Sequence, residues 1–216
     1  RLTMPPIGLG ILKSALNAAG LRATVWNLGL DLLPELGETA AEALSRYELL
    51  GDDLSNELAG EWFFAPPDEE RDARYLALLP DRGFEPGFQE LLPRLRSRVD
   101  GFLRRTARRI VEAGCDVVGF SAAYSRTWAN ARLAGAIREI APATRFLIGG
   151  YEASGDMGCA LLEAFPVIDL ACHTEADDLI VPLVRALRGE EGQALSALRG
   201  ISYREGDRIV CQKDGA

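Results

Sequence analysis

Apolar runs alternate with amphipathic stretches through the second half of the chain. The runs are apolar on consecutive positions rather than on every second one, which is typical of parallel strands covered by helices on both faces. The runs are 116–121, 145–149 and 167–172, and the helical stretches that follow them are 127–140, 156–164 and 176–188. This alternation predicts an α/β fold with a parallel sheet.

The first ninety or so residues depart from this pattern. Helical spacing over 7–19 is followed by an apolar run at 23–28, which we interpret as a strand. Since such a helix and strand are typical of the middle of a βαβ unit, we expect a first strand upstream of Arg1, in a longer protein. The acidic, aromatic stretch 31–93 is too long for a crossover and predicts a helical insertion after the second strand.

Two further elements complete the predicted fold. A longer amphipathic helix is expected over 90–112. Two alternating runs within 200–212 surround Glu205-Gly206-Asp207 and predict a C-terminal β-hairpin.

Composition restricts the possible classes of function. The chain has 216 residues, 48% of them hydrophobic and 26% charged, as in an ordinary soluble globular protein. Its net charge of -8 argues against non-specific nucleic-acid binding. No apolar run approaches the ~18 residues of a membrane span, and no signal peptide is recognisable. We therefore expect a cytoplasmic protein with no membrane partner.

The cysteines, at positions 115, 159, 172 and 211, are too widely spaced for a zinc or iron–sulfur motif. In a reducing cytoplasm we expect them to be free thiols.

Candidate chemistry lies in the loops after the strands, because open α/β sheets bind ligands at the carboxyl ends of their strands. The residues of the first loop are small, hydroxyl-bearing or cationic: Ser121, Ala122, Tyr124, Ser125, Arg126 and Thr127. Small residues allow close approach of a ligand, and hydroxyls beside helix-start N–H groups suit phosphate or amide groups. Alternatively, Ser125 or Thr127 only caps the next helix.

The second and third loops offer weaker signals. The second loop contains Gly149, Gly150, Tyr151 and Glu152, and its glycine-rich character continues through Gly155 and Gly158. It either leaves room for a bulky flat group or is a tight turn that needs positive φ. The third loop contains His173, Thr174 and Glu175. A structural role is favoured for His173, and Thr174 or Glu175 could cap the following helix.

Five stretches carry a resemblance to a known family. They are MPPIGLGILKSALNAAGLRATVWNL at 4–28, GEWFFA at 60–65, DVVGFSAAYSRTWANARLAGAIRE at 116–139, FLIGGYEASGDMG at 146–158 and VIDLACHTEADD at 167–178. On them the chain resembles the N-terminal cobalamin-binding domain of class B radical SAM enzymes, in particular the C-methyltransferases that mature ribosomally made peptides. The ending GISYREGDRIVCQ resembles the hairpin that leads to the radical SAM barrel.

The resemblance implies a flavodoxin-like (Rossmann-like) sheet over 1–199 that binds cobalamin at its carboxyl edge, with 200–216 as a linker hairpin. It implies base-off cobalamin, because the DxHxxG motif that supplies a cobalt ligand is missing. Tyr124 and Arg126 are then the candidates beside the lower face of cobalt. Pro6 and the residues of the three loops are the candidate cofactor contacts, and no metal ligand is expected.

The chain departs from the full enzymes because it has no CxxxCxxC motif for a [4Fe–4S] cluster. We therefore expect no catalysis by this chain alone. The cluster and S-adenosylmethionine would belong to a downstream radical SAM domain, and a peptide would be the substrate. The alternative is a stand-alone corrinoid- or nucleotide-binding sensor or carrier without catalysis.

Overall fold

A computed structural model of the protein describes residues 6–54, 56–80, 87–122 and 126–212. Within these ranges five strands form one open sheet in the order β1-β2-β3-β4-β5. The strands are β1 (Val117–Ser121), β2 (Arg145–Gly149), β3 (Leu170–Cys172), β4 (Ile201–Glu205) and β5 (Arg208–Gln212). The fold is α/β, consistent with a flavodoxin-like sheet, and the C-terminal hairpin β4–β5 is present as predicted.

Helices precede the sheet and connect its strands. Before β1 they are α1 (Ile7–Ala18), α2 (Leu28–Leu36), α3 (Ala40–Glu48), a π-helical turn (Leu49–Asp53), α4 (Ala59–Phe64), α5 (Glu69–Leu78), α6 (Gly87–Arg96) and α7 (Val99–Glu112). Between the strands they are α8 (Thr127–Ile140), α9 (Asp156–Ala164) and α10 (Ile180–Leu187), with short 3-10 turns at Tyr151–Ala153 and Leu195–Ala197. In the described part of the chain, none of these helices has both the length and the apolar character that crossing a bilayer requires.

The sheet is mixed. β1 pairs with β2 and β2 with β3 in parallel, while β3–β4 and β4–β5 are antiparallel. Ser121 is opposite Gly149, which is opposite Cys172, so the first three strands finish level with one another.

Both faces of the sheet are covered, as the consecutive apolar runs predicted. Phe146 and Ile148 belong to the larger core cluster, which also contains residues of α7, α8, α9 and the helices before them. Leu147, between them in the sequence, points to the opposite face and packs with Ile180 and Leu183 of α10. Leu12 of α1 packs against this second cluster.

Several element bounds were predicted correctly and others were not. The strand 145–149 and the helices 127–140 and 156–164 are confirmed. The predicted helix 90–112 is two helices separated at Ser97 and Arg98. The Ser97 hydroxyl donates to the Arg94 carbonyl oxygen at 2.7 Å, an interaction that competes with continuing the helix.

The predicted strand 23–28 is wrong. Residues 21–27 are neither helix nor strand, and Leu28 begins α2. A strand exists only where its backbone has a ladder partner, and β1 is the edge of the sheet that the described residues form. Trp26 and Leu28 instead pack against the larger core cluster, with the Arg109 guanidinium 5.2 Å from the centre of the Trp26 ring.

The expectation of free cysteines is wrong for two of the four. Cys159 of α9 and Cys211 of β5 form a disulfide bond, with their Cα atoms 6.2 Å apart. These residues are separated by 52 positions and meet because α9 packs over the terminal hairpin. Cys115 and Cys172 remain thiols, as expected.

The described residues of the stretch 31–93 are mainly helical, as predicted, but these helices precede β1 instead of following a second strand. We refer to α2–α6 as the insertion. A polar network fixes α4, α5 and α6 relative to one another. The indole of buried Trp62 donates to Asp72 at 3.0 Å, and Arg96 pairs with the same carboxylate at 2.6 Å. The Arg96 guanidinium also lies 4.4 Å from the centre of the Trp62 ring. Burial acts to raise the pKa of Asp72, but the Asp68 backbone N–H and Arg96 outweigh it, and the pKa is lowered.

Replacing Arg96 by Met should destabilise the protein more than the same change at Arg74. Arg96 is 11% exposed, and its loss removes the ion pair from the Asp72 carboxylate and the guanidinium donor from the Ala65 carbonyl oxygen. Asp72 would keep its hydrogen bonds from the Trp62 indole and the Asp68 N–H. Arg74 pairs with Glu70 along one helix, and both side chains are 76% exposed. We expect Arg96→Met to lower the free energy of unfolding by about 2 kcal/mol and Arg74→Met by less than about 0.5 kcal/mol. Urea unfolding at pH 7 measures both losses. Equal losses would contradict the stabilising role of Arg96 in the network with Asp72.

Candidate functional site

The loops after β1 and β2 are joined by backbone hydrogen bonds. The Ala122 N–H donates to the Gly149 carbonyl oxygen at 2.7 Å, and the Glu152 N–H donates to the Ala122 carbonyl oxygen at 3.2 Å. Ala122 has no exposed surface, so it holds the two loops together rather than facing a ligand. Ser121, half-buried at the end of β1, accepts a hydrogen bond from the Asn130 side chain through its carbonyl oxygen at 3.3 Å.

The tight-turn interpretation is confirmed at Gly150, whereas Gly149 is the last residue of β2. Gly150 has φ +113°, and a Cβ there would lie 2.7 Å from the Ala122 carbonyl oxygen. Gly149 has only ordinary contacts at its Cβ position, the nearest being the Cys172 Cβ at 3.6 Å. Gly150 thus lets two loops approach closely at the edge of the sheet.

The third loop is tied to the rest of the fold at His173. Its N–H donates to the Gly200 carbonyl oxygen at 2.8 Å, ahead of β4. Its imidazole lies against Gly158 in the first turn of α9, where a Cβ would be 2.6 Å from His173 Nε2. These contacts agree with a structural role for His173.

Neither Thr174 nor Glu175 caps the following helix, so that prediction is wrong. Helix α10 begins at Ile180, and Leu179 is its N-cap without a side-chain bond. The preceding residues instead form a turn in which Leu179 N–H and Ile180 N–H both donate to the Ala176 carbonyl oxygen. Thr174 is half-buried and Glu175 is exposed at this edge.

The start of α8 is capped from the insertion. The Thr127 and Trp128 N–H groups donate to the two carboxylate oxygens of Glu61, at 2.7 and 2.9 Å. The Thr127 hydroxyl donates to Glu152 at 2.6 Å, so Thr127 does not cap its own helix as the alternative interpretation predicted. Arg126 is the N-cap residue by position, makes no side-chain cap bond and is exposed.

Glu61 is the residue that the sequence analysis missed. It belongs to the GEWFFA segment, which carries the resemblance, but it lies 66 residues before its partner Thr127. Burial, the largest influence, raises the pKa of the Glu61 carboxyl, and the nearby Glu152 charge raises it further. The Trp128 and Thr127 N–H groups act in the opposite direction, and the pKa remains above 4.5.

Some of the remaining candidate residues lie in the described part of the chain and others do not. Tyr151 is 69% exposed at the start of the 3-10 turn after β2. Tyr124 and Ser125 lie outside the described residues. Pro6 is exposed immediately before α1, and its carbonyl oxygen accepts the Gly10 N–H at 3.1 Å. The structure therefore brings together Ser121, Ala122, Thr127, Gly149, Gly150 and Glu152 through direct contacts, and sheet register places the His173 loop beside them.

The part of the chain that the structure describes contains no group of three or more His, Cys, Asp or Glu residues that could hold a metal ion. Comparison with known proteins adds no family: neither a scan against protein-family models nor a search of curated proteins finds a match. The function is therefore inferred from the edge of the sheet and the sequence resemblance.

Gly150→Ala should destabilise the protein more than Gly155→Ala. Both residues have positive φ, but only at Gly150 would the new Cβ meet backbone, while at Gly155 nothing lies within 4 Å. We expect losses of about 3 and about 1 kcal/mol in the free energy of unfolding. Thermal or urea unfolding of the two variants measures the difference. Equal losses would show that the clash with the Ala122 backbone does not determine the cost of a side chain at Gly150.

Glu61→Gln should reduce the pH dependence of stability in mildly acidic solution. Because the folded-state pKa of Glu61 is raised, the folded protein binds more protons there than the unfolded chain. The Glu61 contribution to the free energy of unfolding therefore falls as pH rises from the ordinary glutamate pKa through the raised pKa of the folded protein. Urea unfolding from about pH 4 to 7 should show that Glu61→Gln removes this component of the slope. Glu163→Gln, at an exposed position of α9, is the control, and an unchanged slope in Glu61→Gln would contradict the prediction.

Proposed function

We propose that this chain is the cobalamin-binding module of a radical SAM methyltransferase. It would hold base-off cobalamin at the carboxyl edge of β1–β3, for methyl transfer to an unactivated carbon of a ribosomally made peptide. The observation that carries the proposal is the meeting of three loops at one edge, two of them joined through Ala122 and the glycine turn. This edge is where open α/β sheets bind their ligands.

The residues at this edge fit a flat ligand with amide groups around its rim. The macrocycle would lie over Gly149 and Gly150, whose lack of side chains lets the loops after β1 and β2 pack closely at this edge. Glu152 and Thr174 provide oxygen atoms beside it, and such atoms accept hydrogen bonds from amide N–H groups. Tyr151 is exposed next to Gly150 in the chain and can cover part of an apolar ring. When bound, cobalamin would supply a transferable methyl group.

Arg126 supports the base-off arrangement. It is exposed at the start of α8, at the loop that would face the lower side of the macrocycle. A guanidinium remains protonated and has no lone pair to offer a metal, so it would keep this side free of a strong ligand. His173 packs against Gly158, which favours a structural role over cobalt ligation.

The cysteines do not fit a [4Fe–4S] cluster. Cys159 and Cys211 are bonded to each other, and Cys115 and Cys172 are the remaining thiols. We assign no radical step to this chain. In this proposal the cluster, S-adenosylmethionine and peptide site belong to a downstream radical SAM domain reached through the hairpin β4–β5, and the whole protein is cytoplasmic.

Titration of the chain with hydroxocobalamin tests the proposal. We expect saturable binding with a base-off absorption spectrum, and Arg126→Ala should weaken binding about tenfold or shift the spectrum. The control is Arg188→Ala, because Arg188 pairs with Asp116 at 3.0 Å, ahead of β1 and at the opposite end of the strands. No binding by the wild-type chain would refute the proposed function, and equal effects of the two substitutions would refute the role of Arg126.

A further inference from the structure

The start of α8 is the position where a nucleotide phosphate would bind in many α/β proteins. Helix-start N–H groups point outward there, and the helix dipole favours a negative charge. Here the position is already filled by Glu61. One carboxylate accepts from two successive N–H groups, Thr127 and Trp128, as two oxygens of a phosphate would.

Glu61 is held in place by the packing of α4. Ala59 and Phe63 are at most 1% exposed, and Trp62 is fixed by the network with Asp72 and Arg96. On the opposite side, Arg132 of α8 donates to the Phe64 carbonyl oxygen at 3.0 Å. The carboxylate is therefore built into the contact between α4 and α8 and is not a mobile surface group.

A second carboxylate reinforces the charge at this position. Glu152, from the loop after β2, accepts the Thr127 hydroxyl at 2.6 Å. Two carboxylates from separate elements thus converge on one residue, and their mutual repulsion contributes to the raised pKa of Glu61. A phosphate entering here would have to displace Glu61 and would still face Glu152.

We propose that Glu61 is a specificity-determining residue that closes the phosphate position of α8. The edge then admits ligands that present neutral amide or hydroxyl groups to it and rejects ligands that anchor through a phosphate at this point. This inference rests on the proposed function, since it concerns the same edge. It adds a reason why the edge would take an amide-rimmed corrinoid and not a flavin or adenine nucleotide.

Binding of two phosphate-bearing probes, FMN and inorganic phosphate, tests the proposal. The wild-type chain should not bind either probe at about 1 mM, whereas Glu61→Ala should gain affinity for both by about tenfold or more. Glu61→Gln keeps the shape and removes the charge, so it should give a smaller gain. Glu163→Ala, which removes an exposed carboxylate elsewhere, should give none. Wild-type binding of FMN, or no gain in either Glu61 variant, would overturn the proposal.

A measurement without ligand shows whether Glu61 occupies the N–H groups at the start of α8 or whether its substitution only disturbs folding. Amide hydrogen exchange at Thr127 and Trp128 should be slow in the wild-type chain and at least about tenfold faster in Glu61→Ala, while α9 keeps its protection. Equal exchange rates would show that Glu61 does not occupy the helix start and would overturn the proposal.

Hydroxocobalamin serves as the third probe, so that the two proposals can fail independently. If the wild-type chain binds neither hydroxocobalamin nor FMN and Glu61→Ala gains phosphate, the proposed function fails and the role of Glu61 stands. If the wild-type chain binds hydroxocobalamin and FMN alike, the proposed function stands and the role of Glu61 fails.

Discussion

The parallel pairing of β1, β2 and β3 is the constraint on which the rest of the structure depends. It brings Ser121, Gly149 and Cys172 level, so that three loops must share the space beyond the strands. Only small residues allow this crowding, because a Cβ at Gly150 would collide with the backbone of Ala122. The same pairing sends Phe146 and Leu147 to opposite faces, and each face needs its own helices. The composition of the loops and the two-sided core therefore have one cause.

The insertion acts on the sheet edge as well as adding to the core. Its helix α4 supplies Trp62 and Phe63 to the interior and Glu61 to the start of α8. A half-buried carboxylate is costly to desolvate, and two backbone donors offset that cost. Because α8 begins in the first ligand-facing loop, the position of the insertion and the shape of that loop are coupled. A substitution within α4, α5 or α6 would thus alter the first ligand-facing loop, even though the substituted residue does not contact that loop.

Sequence patterns correctly predicted those helices and strands that are determined by residues close together in the chain. The consecutive apolar residues of 145–149 and the helical spacing of 127–140 gave the observed bounds. The strand expected at 23–28 failed because an apolar run does not reveal whether a neighbouring strand is present to pair with it. At the candidate site, the glycines after 145–149 predicted either room for a ligand or a tight turn, and the positive φ of Gly150 agrees with the turn. The Glu61 cap was not, since it depends on a contact spanning 66 residues that no spacing rule describes.

The bond between Cys159 and Cys211 closes a covalent ring of the chain. The ring spans 52 residues and contains β3, the His173 loop, α10 and β4. Closing a ring of this size restricts the unfolded chain by an amount worth about 4 kcal/mol in stability. The β3 half of the sheet edge and the terminal hairpin should therefore unfold as one cooperative unit. A mechanical load applied at the carboxyl end would pass through the sulfur atoms into α9 at Cys159 and bypass β3, so it would act on the helix that carries Gly158.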